Sequence, residues 1–313
     1  MLTAGVDIGG TNIEAGLVND KYEVVDRAKK ATPNSGTKDV VATIVELIES
    51  FEDKPLAVGV GIPGAVDGDR IVKVPNLENW DGNYDFVANL RKALGMPVAS
   101  GNDANVGLLG EWLSGAARGY DHVLGVWLGT GIGGGLILDG RPYTGSLGAA
   151  GEIGHVVVRA GGALCSCGRR GCVEAYAGRE RMSETVRALR DAGRKTDLFE
   201  IQDDKDKPWP TSKVWAKALD VGDEVVTEVF NEGVEVLGIG IASVLNLLDL
   251  ERVVIGGGMA EKLGKPLAHK IREATLPWVM APNPKLDFAV AKLGDDSGVI
   301  GAAELGRALV VDA

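Results

Sequence analysis

One order of segments occurs twice in this 313-residue chain and restricts its fold more than any other feature. In the first pass, residues 2–8 form a buried apolar run, and Gly9-Gly10-Thr11-Asn12 turns the chain. Residues 13–18 alternate as a second strand, and 23–28 give a third after the Asn19-Asp20 turn. Residues 37–51 carry apolar side chains at helical spacing, and 56–62 return to strand until Pro63-Gly64. A helix over 86–94 and a short strand over 98–100 follow, and Asn102-Asp103 sits where a helix cap belongs, opening a helix to about residue 113. The second pass has a strand at 122–128, a loop at 129–135 and a strand at 136–138. Helices at 175–192 and 223–248 precede a strand at 252–255, a helix at 267–275, a strand at 288–292 and a last helix at 299–309. No residue-level repeat aligns the halves. The pattern predicts two related α/β lobes with mixed sheets. Without a flexible linker, the lobes should abut across a cleft, where small-molecule sites usually lie.

Composition narrows the class. The net charge of -11 argues against nucleic acid, whose phosphates attract basic surfaces, and gives no pull towards anionic membranes. No charged-then-apolar leader opens the sequence. The run at 237–250 is shorter than the ~20 apolar residues a spanning helix needs. A cytoplasmic enzyme is expected.

Glycine, 45 residues, is concentrated in three places that each follow a strand: Gly9-Gly10, Gly129 to Gly135, and Gly256-Gly257-Gly258. One such cluster alone is a tight turn. Three, two of them bearing a threonine (Thr11, Thr130), point as readily to concavities of backbone N–H groups that bind phosphate. Asp7, just before the first loop, is either an ordinary strand-end carboxylate or a group that holds magnesium through water. The dinucleotide spacing occurs at Gly59-x-Gly61-x-x-Gly64 and Gly129-x-Gly131-x-x-Gly134, but neither opens a helix. The Gly-x4-Gly-Lys-Ser/Thr loop and the protein-kinase segments do not occur.

All three cysteines lie within eight positions, Cys165, Cys167 and Cys172, ten residues past His155. Three clustered cysteines make no disulfide framework, whereas Cys3His is an established closed tetrahedral zinc set. Such a histidine has a second ring nitrogen for an outer partner. A substrate hydroxyl in that place would be oriented by the metal, and Glu152 and Glu174 would be held by the same clamp.

Taken in order, Asp7-Ile-Gly-Gly-Thr-Asn12, Gly61-Ile-Pro-Gly64, Asn102-Asp-Ala-Asn105, Leu128-Gly-Thr-Gly-Ile-Gly-Gly-Gly135, Gly151-Glu-Ile-Gly-His155, Cys165-Ser-Cys-Gly-Arg-Arg-Gly-Cys-Val-Glu-Ala-Tyr176 and Ile255-Gly-Gly-Gly258 resemble the ROK family of sugar kinases, closest to its glucokinases. The resemblance spans essentially the whole chain. It implies a two-lobed actin-like ATPase fold of ribonuclease H-like type with a zinc-bound loop over 151–174. It implies a small lobe of 1–110 plus about 297–313, a large lobe of about 111–296, and a homodimer or homotetramer. ATP, magnesium and structural zinc are the implied cofactors. Asp103 corresponds to the catalytic base, and Asn102, Glu152, His155 and Glu174 to sugar-hydroxyl ligands, with Gly64 and Asn76 adding to the pocket. Gly9, Gly10, Thr11, Asn12, Gly129, Thr130, Gly131 and Gly133 would hold phosphates, and Gly257 and Gly258 would flank adenosine. Gly178 departs from the serine many members carry there. The family's repressors have an added N-terminal helix-turn-helix, which a first strand at residue 2 does not accommodate. Other hexoses (N-acetylmannosamine, N-acetylglucosamine, mannose, fructose), polyphosphate as donor, and a non-catalytic sugar sensor are the competing expectations.

Overall fold

The structure is a computed structural model that describes residues 1–311 apart from 75–76, 78, 203–207 and 282. Asn76 therefore lies outside the described residues. The chain begins with strands β1 (Thr3–Ile8), β2 (Asn12–Val18) and β3 (Val24–Ala31), then helix α1 (Thr37–Glu49) and β4 (Val58–Ile62). A small hairpin, β5 (Ala65–Asp67) and β6 (Arg70–Lys73), precedes α2 (Phe86–Leu94), β7 (Val98–Asn102) and α3 (Asp103–Ser114). Next come β8 (Val123–Leu128), β9 (Ile132–Leu138), β10 (Arg141–Pro142), α4 (Glu174–Ala177), α5 (Arg179–Asp191), α6 (Ser212–Asp220) and α7 (Glu224–Leu248). The chain closes with β11 (Arg252–Gly256), α8 (Gly258–Thr275), β12 (Asp287–Val290) and α9 (Asp296–Val311).

Two five-stranded sheets have the orders β3-β2-β1-β4-β7 and β10-β9-β8-β11-β12. In the first, β1 and β3 flank β2 antiparallel, and β1, β4 and β7 run parallel. In the second, β8, β11 and β12 run parallel, and β10 pairs antiparallel with β9. The repeated order seen in the sequence is thus a repeated mixed sheet: a tight antiparallel hairpin, then parallel strands that need helical crossovers. The chain forms two compact units, residues 1–120 with 136–150 and 292–313, and residues 121–135 with 151–291.

Alternation along β1 and β4 shapes the first unit. Ala4, Val6, Ile8, Val58, Val60 and Ile62 pack with Val40, Ile44, Leu47 and Ile48 of α1 on one face. Gly5 and Gly59 lie on the opposite face, where a Cβ would collide with the carbonyls of Val299 and Ala302 in α9. The helix backbone rests directly on these two strands, a contact only glycine permits. Asp7 is the next residue of β1 on this crowded face, which is why its carboxylate is largely removed from water.

Four sequence expectations change. Strand β9 starts at Ile132, not residue 136, because its glycines are packing positions: a Cβ on Gly134 would strike the Gly151 carbonyl and lie 2.7 Å from Ile153 Cγ2. The helix expected over 175–192 is two, broken at Gly178, whose backbone is extended. Helix α8 begins at Gly258 and continues across a kink at Gly264 next to Pro266, so the expected start at 267 is only its second half. Helix α6 was not expected; a polar segment hid its buried Val214, Trp215 and Ala218. Helix α7 is, among the described residues, the one helix long and apolar enough to cross a membrane, and it buries Val226, Val229, Leu237 and Ile241 against neighbours that include α8.

Candidate active site and metal centre

In the first unit, β7 runs into α3 without a loop, and Asn102 serves as the cap. Its Oδ1 accepts the Asn105 N–H (3.0 Å), while Nδ2 donates to the Gly64 carbonyl (2.9 Å) and to Asp103 Oδ1 (2.9 Å). The Ala104 N–H also donates to Asp103 Oδ1, at 2.8 Å. Asp103 is therefore a carboxylate at the positive end of a 12-residue helix with two donors on one oxygen. Those donors hold the carboxyl group in place. Gly64 takes φ 116°, a conformation that favours glycine, to bring its carbonyl to Asn102.

Asp7 stands close by in the same unit. Burial, then the charges of Asp103, Glu14 and Asp295, push its carboxyl up to about 7. Its oxygens face the backbone of Gly61 and Gly298; a Cβ on Gly298 would lie 2.6 Å from Oδ2. A crowded carboxylate with raised proton affinity beside a second carboxylate is an environment that a divalent cation relieves. The Gly9–Asn12 loop is closed by Gly9 N–H to the Asn12 carbonyl (2.9 Å) and braced by Thr32, whose hydroxyl donates to the Gly9 carbonyl (2.6 Å). Gly10 and Thr11 are exposed at its tip.

The second unit carries the cysteine cluster. His155, Cys165, Cys167 and Cys172 place one ligand atom each within 4.8 Å of one another. Cys165 Sγ is 3.7 Å from His155 Nδ1, and Cys167 Sγ is 3.8 Å from Cys172 Sγ. A tetrahedron with Zn–S bonds of ~2.3 Å has edges of about 3.8 Å, so the donor spacing fits zinc. The thiols also behave as a set that lacks room for its own charge. Burial pushes Cys172 up to about 12 and raises Cys165. Burial would raise Cys167 too, but hydrogen bonds, first from Arg169, bring it down to about 6. One anion is favoured and two are resisted, and a bound cation removes the conflict. The wrap depends on Gly171, at φ 81°, where a Cβ would collide with the Arg159 carbonyl. Since Nδ1 faces the sulfurs, Nε2 is the nitrogen left for an outer partner.

Glu174 opens α4 and joins this loop to the second glycine loop. Oε1 accepts the Ser166 hydroxyl at 2.6 Å, and Oε2 accepts the Ile132 N–H at 2.9 Å. A Cβ on Gly131 would collide with Oε2. Oε1 also faces Cys165 Sγ at 3.7 Å, so Oε2 is the oxygen that retains a second lone pair for a hydroxyl. Glu152 is exposed, and its carbonyl accepts the His155 N–H at 3.0 Å. Gly129 N–H closes onto the Gly131 carbonyl at 3.0 Å, and Thr130 is exposed between them. Gly133 lies within β9. Gly257, at φ 82°, packs on Leu128, and Gly258 starts α8 beside Ser212.

The sequence alone did not single out Ser166, Ser212 or Arg179. Arg179 had a visible signal: a cation as the first residue of α5 opposes the helix dipole.

The ROK family pattern matches residues 3–308. A glucokinase of Thermotoga maritima is 34% identical over 307 residues, covering 96% of each chain. An N-acetylgalactosamine kinase of a Shewanella species is 32% identical over 319 residues, covering 97% of this chain and 96% of that one. The crystal structure of a ROK family glucokinase from Streptomyces griseus in complex with glucose and AMPPNP has a TM-score of 0.83 at 32% identity, covering 98% of this chain and 99% of that chain.

Proposed function

The chain belongs to the ROK family and is an ATP-dependent hexose kinase, and we propose that its acceptor is the 6-hydroxyl of glucose, with Asp103 as the general base. The observation that carries this reading is the Asp103 carboxyl group, held in place by the Asn102 and Ala104 donors at the start of α3. A general base must be aimed at the proton it accepts, and these two bonds support that role. In the proposed step the 6-oxygen attacks the γ-phosphorus of ATP as Asp103 accepts its proton. The bond from the γ-phosphorus to the β,γ-bridging oxygen breaks, ADP leaves, and Asp103 later returns the proton to water. Magnesium bound with ATP would supply charge neutralisation at the phosphates, and Asp7 is the carboxylate suited to hold it, through water. Backbone N–H groups of the glycine loops support the phosphate oxygens.

Sugar selection is assigned to Asn102, Glu152, His155 Nε2 and Glu174, each bonding a ring hydroxyl, with Gly64 and Asn76 beside them. Sites built this way reject analogues that lack the hydroxyl. Zinc is assigned to positioning: it would hold His155 and, through the loop that presents Ser166, Glu174. An assembly of two or four copies is part of the proposal. A second acceptor class, an N-acetylated hexosamine, is favoured by the Shewanella relative.

The test is a coupled ATP-to-ADP assay over a panel of hexoses and N-acetylhexosamines, with Asp103→Asn alongside. Glucose should give the highest kcat/KM, and Asp103→Asn should lose about 10²–10⁴-fold in kcat while still binding sugar. Near wild-type turnover in Asp103→Asn overturns the base assignment, and preference for an N-acetylhexosamine overturns the acceptor.

A further inference from the structure

Arg179 is placed where a cation is disfavoured twice. It is the first residue of α5, at the positive end of the helix dipole. It is also partly withdrawn from water: desolvation lowers its proton affinity and outweighs the charge of neighbouring Glu180. Its guanidinium donates to two neutral oxygens, the Pro210 carbonyl and, at 3.0 Å, Thr130 Oγ1. Its Nε is buried with no hydrogen-bond partner among the described residues. A helix cap needs none of this, and a guanidinium with neutral partners keeps most of its charge for something else.

Its surroundings indicate what that is. The carbonyls of Gly129 and Thr130 accept the backbone N–H groups of Arg179 (3.3 Å) and Glu180 (3.1 Å), which strap the glycine loop onto α5. The Thr130 hydroxyl is thus held from behind. Because its oxygen accepts from Arg179, its single proton is directed away from that bond, and Thr130 is exposed on the open side. On the other flank, Pro210 stands two residues before Ser212, whose hydroxyl lies 2.8 Å from the position of a Cβ on Gly258. Arg179 therefore ties the loop assigned to phosphate to the segment that covers the loop assigned to adenosine.

We propose that Arg179 is a positioning residue of the donor site, holding the Thr130 hydroxyl as a committed hydrogen-bond donor to a phosphate oxygen of the nucleoside triphosphate and adding positive charge beside that phosphate. The inference rests on the hexose-kinase reading, and it concerns the donor alone.

The test is calorimetric binding of AMPPNP with magnesium, and separately of glucose, to wild type, R179M, R179K, T130V and the double variant T130V/R179M. R179M and T130V should each weaken AMPPNP about tenfold or more. The double variant should be little worse than R179M alone, because the Thr130 hydroxyl acts through the bond that R179M already removes. R179K should recover part of the loss, and glucose affinity should stay within about twofold throughout. Additive losses, or unchanged AMPPNP affinity in R179M with only a lower melting temperature, overturn the proposal. If R179M does not fold, R179K with T130V still closes the cycle. Binding is read without turnover: a wild type that binds AMPPNP yet phosphorylates no hexose sinks the kinase reading and leaves the Arg179 result standing on its own.

Discussion

Asp7→Asn should make the protein more stable at alkaline pH, and by an amount that depends on pH in a fixed direction. The Asp7 carboxyl is raised from 3.8 to about 7, first by burial and then by Asp103, Glu14 and Asp295. The fold therefore prefers the neutral form. Stability from this site is fully present below about pH 4, declines as pH rises, and is lost once pH passes about 7. A shift of about 3 pKa units at ~1.4 kcal/mol each sets a ceiling of ~4 kcal/mol. Water near a partly accessible group, and relaxation around it, bring this to ~2 kcal/mol. Asparagine has the same shape and no charge, so it escapes the penalty. Wild type and Asp7→Asn should have similar stability near pH 4. The gap should widen up to pH 7 and level off above it at ~2 kcal/mol, about 3 °C in melting temperature for a chain of this length. Denaturant titrations at fixed pH values from 4.5 to 8.5 measure it. Magnesium should narrow the gap at pH 8 by stabilising the ionised wild type, which tests Asp7 as a cation-facing group. A gap that does not vary with pH, or an Asp7→Asn protein less stable at pH 8, refutes the reasoning.

Two further predictions concern the scaffold. Cys167→Ser should lose bound zinc by metal analysis and melt at lower temperature, since metal binding in such a loop is folding energy; full zinc occupancy with unchanged melting rules the centre out. Glu111 is buried and accepts three backbone N–H groups, from Lys292 and Leu293 on Oε1 (2.8 Å each) and from Ala116 on Oε2 (2.6 Å). Glu111→Gln would oppose an amide donor to one of these N–H groups, so it should cost about 2–4 kcal/mol by chemical denaturation, and a loss under ~1 kcal/mol contradicts the account.

The order of elements was legible because each half writes it in local terms: apolar runs of strand length, turn residues after them, and helical spacing in 37–49 and 224–248. The metal set was legible because cysteines are scarce here and close together in sequence. Glycine misled where its cause was not local. The run at 132–135 is strand, since Gly134 makes room for the Gly151 carbonyl, and no neighbouring residue announces that contact. Helix α6 was missed because its buried Trp215 answers to Ser183 in another helix rather than to a pattern of its own.

The sequence by itself determined which groups are available: a carboxylate after a capping asparagine, three glycine loops, and four soft metal ligands within eighteen positions. Tertiary structure decided what those groups are able to do. It set the α9 backbone on Gly5 and Gly59, and so buried Asp7 on the same face and raised its proton affinity. It turned His155 Nδ1 to the sulfurs, and it made Glu174 the link between the metal loop and the Gly131 loop. It also brought Arg179 to Thr130, 49 positions apart. Proton affinity and hydrogen-bond direction depend on desolvation and on atoms a few ångströms away, and only the packed chain supplies both.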